Sequence, residues 1–128
     1  MSQTEKCIWK INGHEFPLDT QDVSVVERCE SAFEAMGNRE KALPKDGKTS
    51  ERIRAYCKLF RDLFDDIFGE GTAEQIFGDV YNARTATEVY EAFLDFMAGQ
   101  QNALHETQNR VMSRYSPNRA QRRVTGKK

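Results

Sequence analysis

Between Thr49 and Gly69 the apolar residues Ile53, Tyr56, Cys57, Phe60, Phe64, Ile67 and Phe68 recur at intervals of three and four. That period is the signature of one face of an α-helix. Leu59 and Leu63 widen the stripe well beyond a minimal seam, so this helix demands neighbours. Thr49 or Ser50 is the expected cap, and Gly69 the expected left-handed stop, with Gly71 loosening the link that follows. A chain of 128 residues holds material for one core, not two. The expected fold is therefore mainly α, a small helical domain organised around this segment.

Three further helical stretches surround it. Asp19 or Thr20 can cap a helix carrying Val23, Val26, Phe33 and Met36, which ends at Gly37-Asn38 or frays on towards Leu43 before Pro44. Thr72-x-x-Gln75 reads as a capping box opening a short helix that closes at Phe77-Gly78. Thr85-x-x-Glu88 reads as a second box, opening a long helix with Val89, Tyr90, Phe93, Leu94 and Met97 inward, running to about Arg114. Gly99-Gln100-Gln101-Asn102 weakens the middle of that helix. The count is three main helices and one short one.

Ahead of them, residues 7–18 carry a hairpin signal. Asn12-Gly13 is the preferred dipeptide for a two-residue type I′ turn, in which both positions take positive φ. The turn sets a register with Ile11 facing His14, Lys10 facing Glu15, Trp9 facing Phe16 and Cys7 facing Leu18. Cys7, Trp9, Ile11, Phe16 and Leu18 then share one face. Two strands alone are marginal in water, so that face must cover helices or a partner.

The net charge of −1 conceals a division. Residues 1–106 hold 12 basic and all 20 acidic residues, a balance of −8, whereas residues 107–128 hold seven basic residues and no acid. From Ser116 onward large apolar residues are nearly absent, so 116–128 reads as a disordered basic tail following a domain over 1–115. Mean hydropathy is −0.74 and no apolar run approaches a membrane span. Three well-separated cysteines, Cys7, Cys29 and Cys57, suit a reducing compartment as packed thiols better than as half-disulfides.

Catalytic chemistry finds no foothold. Phe68-Gly69-Glu70-Gly71-Thr72 lacks Walker spacing and follows a helix, so it reads as a stop running into a cap. Asp62, Asp65, Asp66 and Glu70 cluster on a helix surface, where Lys58–Asp62 and Arg61–Asp65 pairing explains them. Neither His14 nor His105 has a ligand at metal spacing, and no serine sits in an elbow motif. No enzyme, metal or cofactor is expected. The aromatics Phe64, Phe68, Phe77, Phe93 and Phe96 are core in the first instance. Yet Leu59, Leu63, Phe93, Leu94, Phe96 and Met97 wrap so far round their helices that an exposed surplus is expected, a mark of oligomerisation or peptide capture.

The block Asp62-Leu63-Phe64-Asp65-Asp66-Ile67-Phe68-Gly69-Glu70-Gly71-Thr72, continuing through Gln75-Ile76-Phe77-Gly78-Asp79 and Asn82, resembles a family of small siphophage and prophage proteins of Gram-positive hosts, the tail assembly chaperones. The strand–turn–strand Ile8 to Phe16, the late Glu91-Ala92-Phe93-Leu94-Asp95-Phe96 and the basic ending Asn118 to Arg123 also fit. The resemblance implies a non-enzymatic role in tail morphogenesis. Such a chaperone binds the tape measure protein, helps recruit tail tube subunits, works in the bacterial host cytoplasm and is left out of the mature virion. Phe64, Phe68, Phe77, Phe93 and Phe96 are then the expected apolar contacts, and Arg119, Arg122 and Arg123 the expected tail contacts. Asn12, Gly13, Gly69, Gly71, Thr72 and Gly78 are its structural motif positions, and a homo-oligomer is expected. The alternative is a nucleic-acid-associated accessory protein binding phosphates through the tail. With Tyr115 the only aromatic residue there and no reading motif, a tail that docks on protein is favoured.

Overall fold

A computed structural model describes residues 7–115 in the order β1 (Ile8–Ile11), β2 (His14–Pro17), α1 (Val23–Lys41), α2 (Thr49–Phe68), α3 (Thr72–Phe77) and α4 (Ala83–Tyr115). The architecture is mainly helical with an N-terminal antiparallel hairpin, as the periodicities require. The expected basic tail, with Arg119, Arg122 and Arg123, lies outside the described residues.

The hairpin has the register that its turn dictates. Trp9 pairs with Phe16, Lys10 with Glu15 and Ile11 with His14. Asn12 and Gly13 take φ of 51° and 79°, the positive values that a type I′ turn needs. Trp9, Phe16 and Leu18 are buried while Lys10 and Glu15 are exposed, so one face covers the helices. Trp9 stacks on Phe64 at 5.4 Å between ring centroids and meets Phe93 edge-on at 5.1 Å. Asn12 also reaches out of the turn, its Nδ2 donating to the Ile76 carbonyl of α3 at 3.1 Å.

The central element is α2, which packs on α1, α3 and α4. Neighbours on several sides explain its broad stripe: Cys57, Leu59, Phe60, Leu63, Phe64 and Ile67 are all buried. This corrects the expected apolar surplus in part: Leu59, Leu63 and Phe93 lie inside, whereas Leu94 is exposed and Phe96 and Met97 are half-buried. Ile53, one turn before the first buried position, is exposed instead.

Helix starts differ from the sequence reading by a few residues, each for a visible reason. Asp22 caps α1, its Oδ1 accepting from the Ser24 N–H at 2.9 Å and the Ser24 hydroxyl at 2.8 Å. Those bonds hold the Asp22 carboxyl below its ordinary pKa. Asp19 closes a turn of its own on the Gln21 N–H, and Thr20 is drawn inward. Val23, expected inside, is 71% exposed; Cys29 and Ala32 are the buried positions, flanked by Val25, Phe33 and Met36. The helix passes Gly37 and Asn38 and ends at Lys41. Lys48 precedes α2, its N–H donating to Glu51 Oε1 at 3.2 Å.

Gly71, in left-handed conformation, caps α3, so no Thr72 capping box forms. Thr72 is buried inside the helix and its hydroxyl donates to the Gly69 carbonyl at 2.7 Å. The acid at the end of α2 serves the next helix: Asp65 Oδ1 accepts from the Ala73 N–H at 2.8 Å. Asn82, not Thr85, caps α4, accepting from the Thr85 N–H at 2.9 Å. That helix then runs unbroken through Gly99.

Candidate partner-binding surface

The aromatic residues expected to meet a partner divide by burial. Phe64 and Phe93 are 0% exposed and Phe77 is also buried, which corrects their assignment as contact residues. They form the centre of the core: Phe64 meets Phe93 edge-on at 5.4 Å and Phe77 at 6.0 Å. Phe68 and Phe96 are half-buried at its margin, Phe68 lying 5.9 Å from Trp9 and 5.4 Å from Phe16. Of the motif positions, Asn12 and Gly13 make the hairpin turn, and Gly69, Gly71, Thr72 and Gly78 bracket α3.

What remains open lies where α2, α3 and the start of α4 meet. Val80 and Tyr81, in the link from α3 to α4, are exposed there. Two guanidinium groups lie against the Tyr81 ring, Arg61 at 4.6 Å and Arg54 at 4.9 Å from its centroid. Arg61 does not pair with Asp65 as its spacing suggested. Its Nη2 donates to Glu74 Oε2 at 3.2 Å and to the Gly78 carbonyl at 2.9 Å. The same side chain lies 5.7 Å from the Phe77 ring and is 11% exposed, with Nη1 buried and lacking a hydrogen-bond partner among the described residues. Cation–π contact and an ion pair therefore fix the ring in place before any partner arrives.

On another face of α2 an open cleft of about 320 Å³ separates it from the end of α1. Ala42, Leu43, Pro44, Ala55 and Leu59 floor it. Its rim charges satisfy one another: Asp62 accepts from Lys58 at 2.9 Å, and Arg39 reaches Asp66 at 3.1 Å and Asp62 at 3.8 Å. The Lys58–Asp62 pair is the one its spacing indicated.

The titratable groups are set for packing. Burial pushes the Cys29, Cys57 and Cys7 thiols above their ordinary pKa, and so away from the thiolate that a nucleophile requires. Among the described residues no three of His, Cys, Asp and Glu are grouped to hold a metal ion, and no helix is long and apolar enough to cross a membrane.

A family match extends over residues 12–126, from the hairpin turn through the whole of α4 and on past it. The chain belongs to DUF6673, a family of unknown function. No curated protein and no solved structure matches this DUF6673 chain.

One buried polar group of the DUF6673 fold has no local sequence signal. Gln100, 8% exposed in the middle of α4, accepts through Oε1 from both the N–H and the hydroxyl of Thr20. Its Nε2 donates to the Leu18 carbonyl at 2.8 Å. The stretch read as a weak point is thus where the exit of the hairpin is tied to α4. Tyr81 and Arg61 were also missed as a site, because their meeting depends on how α3 folds back on α2.

Proposed function

We propose that this DUF6673 protein is a tail assembly chaperone of the siphophage type. It binds the tape measure protein, helps recruit tail tube subunits during tail morphogenesis in the bacterial host cytoplasm, and is left out of the mature virion. Its action is binding without catalysis. The observation that carries the reading is the exposed Val80-Tyr81 corner with Arg54 and Arg61 stacked on the tyrosine. Interface anchors are enriched in tyrosine and arginine on apolar ground, and this is such ground. An amphipathic helix of the tape measure protein supplies what the corner lacks: apolar side chains for Val80 and the Tyr81 ring, and a carboxylate for the exposed Arg54. The resemblance in the Phe68-Gly69-Glu70-Gly71-Thr72 block supports the reading independently, because that block builds the α2–α3 corner.

The test is co-expression with the tape measure protein of the same genome, followed by co-purification. The wild-type chain should carry the tape measure protein with it, and Y81A combined with V80S should weaken that capture at least tenfold. If the wild-type chain captures none, the chaperone reading fails; if the double variant captures as much, the corner is not the contact. Steeply salt-dependent binding to random-sequence DNA, lost on deleting residues 116–128, would favour the nucleic-acid reading instead.

A further inference from the structure

We propose that the distal end of α4 in one copy docks on the acidic outer face of α1 in a second copy. Helix α4 has 33 residues, but its last buried position is Gln100. Between it and Arg114 only Leu104 and Thr107 are half-buried, and Val111 and Met112 are exposed. A helix end of this length, rooted at Gly99, is marginal in water unless something covers it.

The charges name the cover. Val111 and Met112 are flanked by Arg110 and Arg114, both exposed, and neither pairs with an acid among the described residues. Five more basic residues and no acid follow Arg114 in the sequence. On α1, Val23, Glu27, Glu30 and Glu34 follow one another at spacings of four, three and four, and all are exposed. They form a single stripe opposite to Cys29 and Ala32, which pack inward. Glu27, Glu30 and Glu34 border an open polar groove and none pairs with a base among the described residues.

Each copy therefore offers an unpaired basic helix end with an apolar pair, and an unpaired acidic stripe that starts at an exposed valine. Within one copy α1 and α4 touch nearer their middles, where Phe33 meets Phe93 at 6.4 Å, and among the described residues no ion pair joins the basic helix end to the acidic stripe. A second copy supplies both complements at once. Either two chains exchange helix ends about a two-fold axis, or the contact repeats head to tail. The division of net charge between residues 1–106 and 107–128 then acts between subunits.

The test is sedimentation velocity on the full chain at low and at high salt. The wild-type chain should associate at low salt and dissociate at high salt. The reversals E27K/E30K/E34K and R110E/R114E should each weaken association at least tenfold, and an equimolar mixture of the two should restore it. The neutral sets E27Q/E30Q/E34Q and R110Q/R114Q should weaken it in the same direction, which covers any reversal that disturbs folding. A wild-type chain that stays monomeric at low salt overturns the proposal, as does association unmoved by the substitutions or a mixture that fails to associate. Because the purified chain is tested alone, the result is independent of tape measure capture.

Discussion

Replacing Gln100 by alanine measures how the hairpin is held to the helices. Among the described residues the carboxamide serves the Thr20 N–H, the Thr20 hydroxyl and the Leu18 carbonyl. Thr20 and Leu18 are each 2% exposed, so water cannot replace the lost partner without opening the structure. The Thr20 hydroxyl can rotate to a new acceptor, whereas the two backbone groups cannot. Each unsatisfied buried group costs about 1–3 kcal/mol, so Q100A should cost about 2–4 kcal/mol. Alanine returns only about 0.3 kcal/mol as the better helix former. At about 4 °C per kcal/mol for a domain of this size, the melting temperature should drop by roughly 8–16 °C.

The single tryptophan makes the assay local, because Trp9 lies in the hairpin that Gln100 ties down. Urea unfolding followed by Trp9 fluorescence and by helical circular dichroism should show both signals shifting together if hairpin and helices unfold as one unit. T20V keeps the N–H and loses only the hydroxyl, so it should cost about 1 kcal/mol in the wild-type chain. In the Q100A background that cost should shrink, a coupling of up to about 1 kcal/mol in a double-mutant cycle. A Q100A variant within about 0.5 kcal/mol of wild type would refute the reasoning, since the buried contacts would then carry no net energy.

Other consequences are as direct. F64A removes a fully buried ring at the centre of the aromatic cluster and should cost about 3–5 kcal/mol, read by thermal melting, whereas Y81A on the surface should cost under about 1 kcal/mol. D65A strips the carboxylate from the Ala73 N–H and should cost about 1 kcal/mol; D65N, which keeps an acceptor, should recover part of it in the same melt. The Cys29 and Cys57 thiols and the Tyr90 phenol are all raised by burial, Tyr90 also by Glu40, so the native state holds these protons more tightly than the unfolded chain. The contribution of these groups to stability should therefore be flat below the ordinary thiol pKa of 9.0 and fall as pH rises beyond it. Melting temperatures measured across that range should show the fall, and C29A/C57A should make it shallower.

How much of this was legible depended on how local its cause was. Asn12-Gly13 dictates a turn geometry, and the turn dictates every pairing in the hairpin, so the register could be read without knowing the rest of the fold. The period of α2 was equally plain. Misreadings began where distant groups compete. Thr20 has the chemistry of a helix cap, but Gln100, 80 residues away, claims it, and Asp22 takes the cap instead. Thr72-x-x-Gln75 has the spacing of a capping box, yet Asp65 in the preceding helix supplies the acceptor. Leu59 and Leu63 looked surplus because periodicity describes one face, while the number of neighbours around α2 belongs to the assembled fold.

The same distinction relocates the functional reading. An aromatic stripe is compatible with both a core and a binding surface, and in this chain Trp9 decides between them. Its indole lies among Phe16, Phe64, Phe68 and Phe93, so the hairpin seals the stripe that a partner would otherwise have met. Capture through Phe64 or Phe93 would require lifting the hairpin, breaking both the Gln100 bonds and the Asn12–Ile76 bond. Capture at Tyr81 requires no such opening, because Arg54 and Arg61 already hold the ring at the surface. The two routes differ in one measurable respect. If the core were the binding site, Q100A would loosen the hairpin and strengthen capture of the tape measure protein; with the Tyr81 corner as the site, Q100A should lower stability and leave capture unchanged at temperatures where the variant is folded.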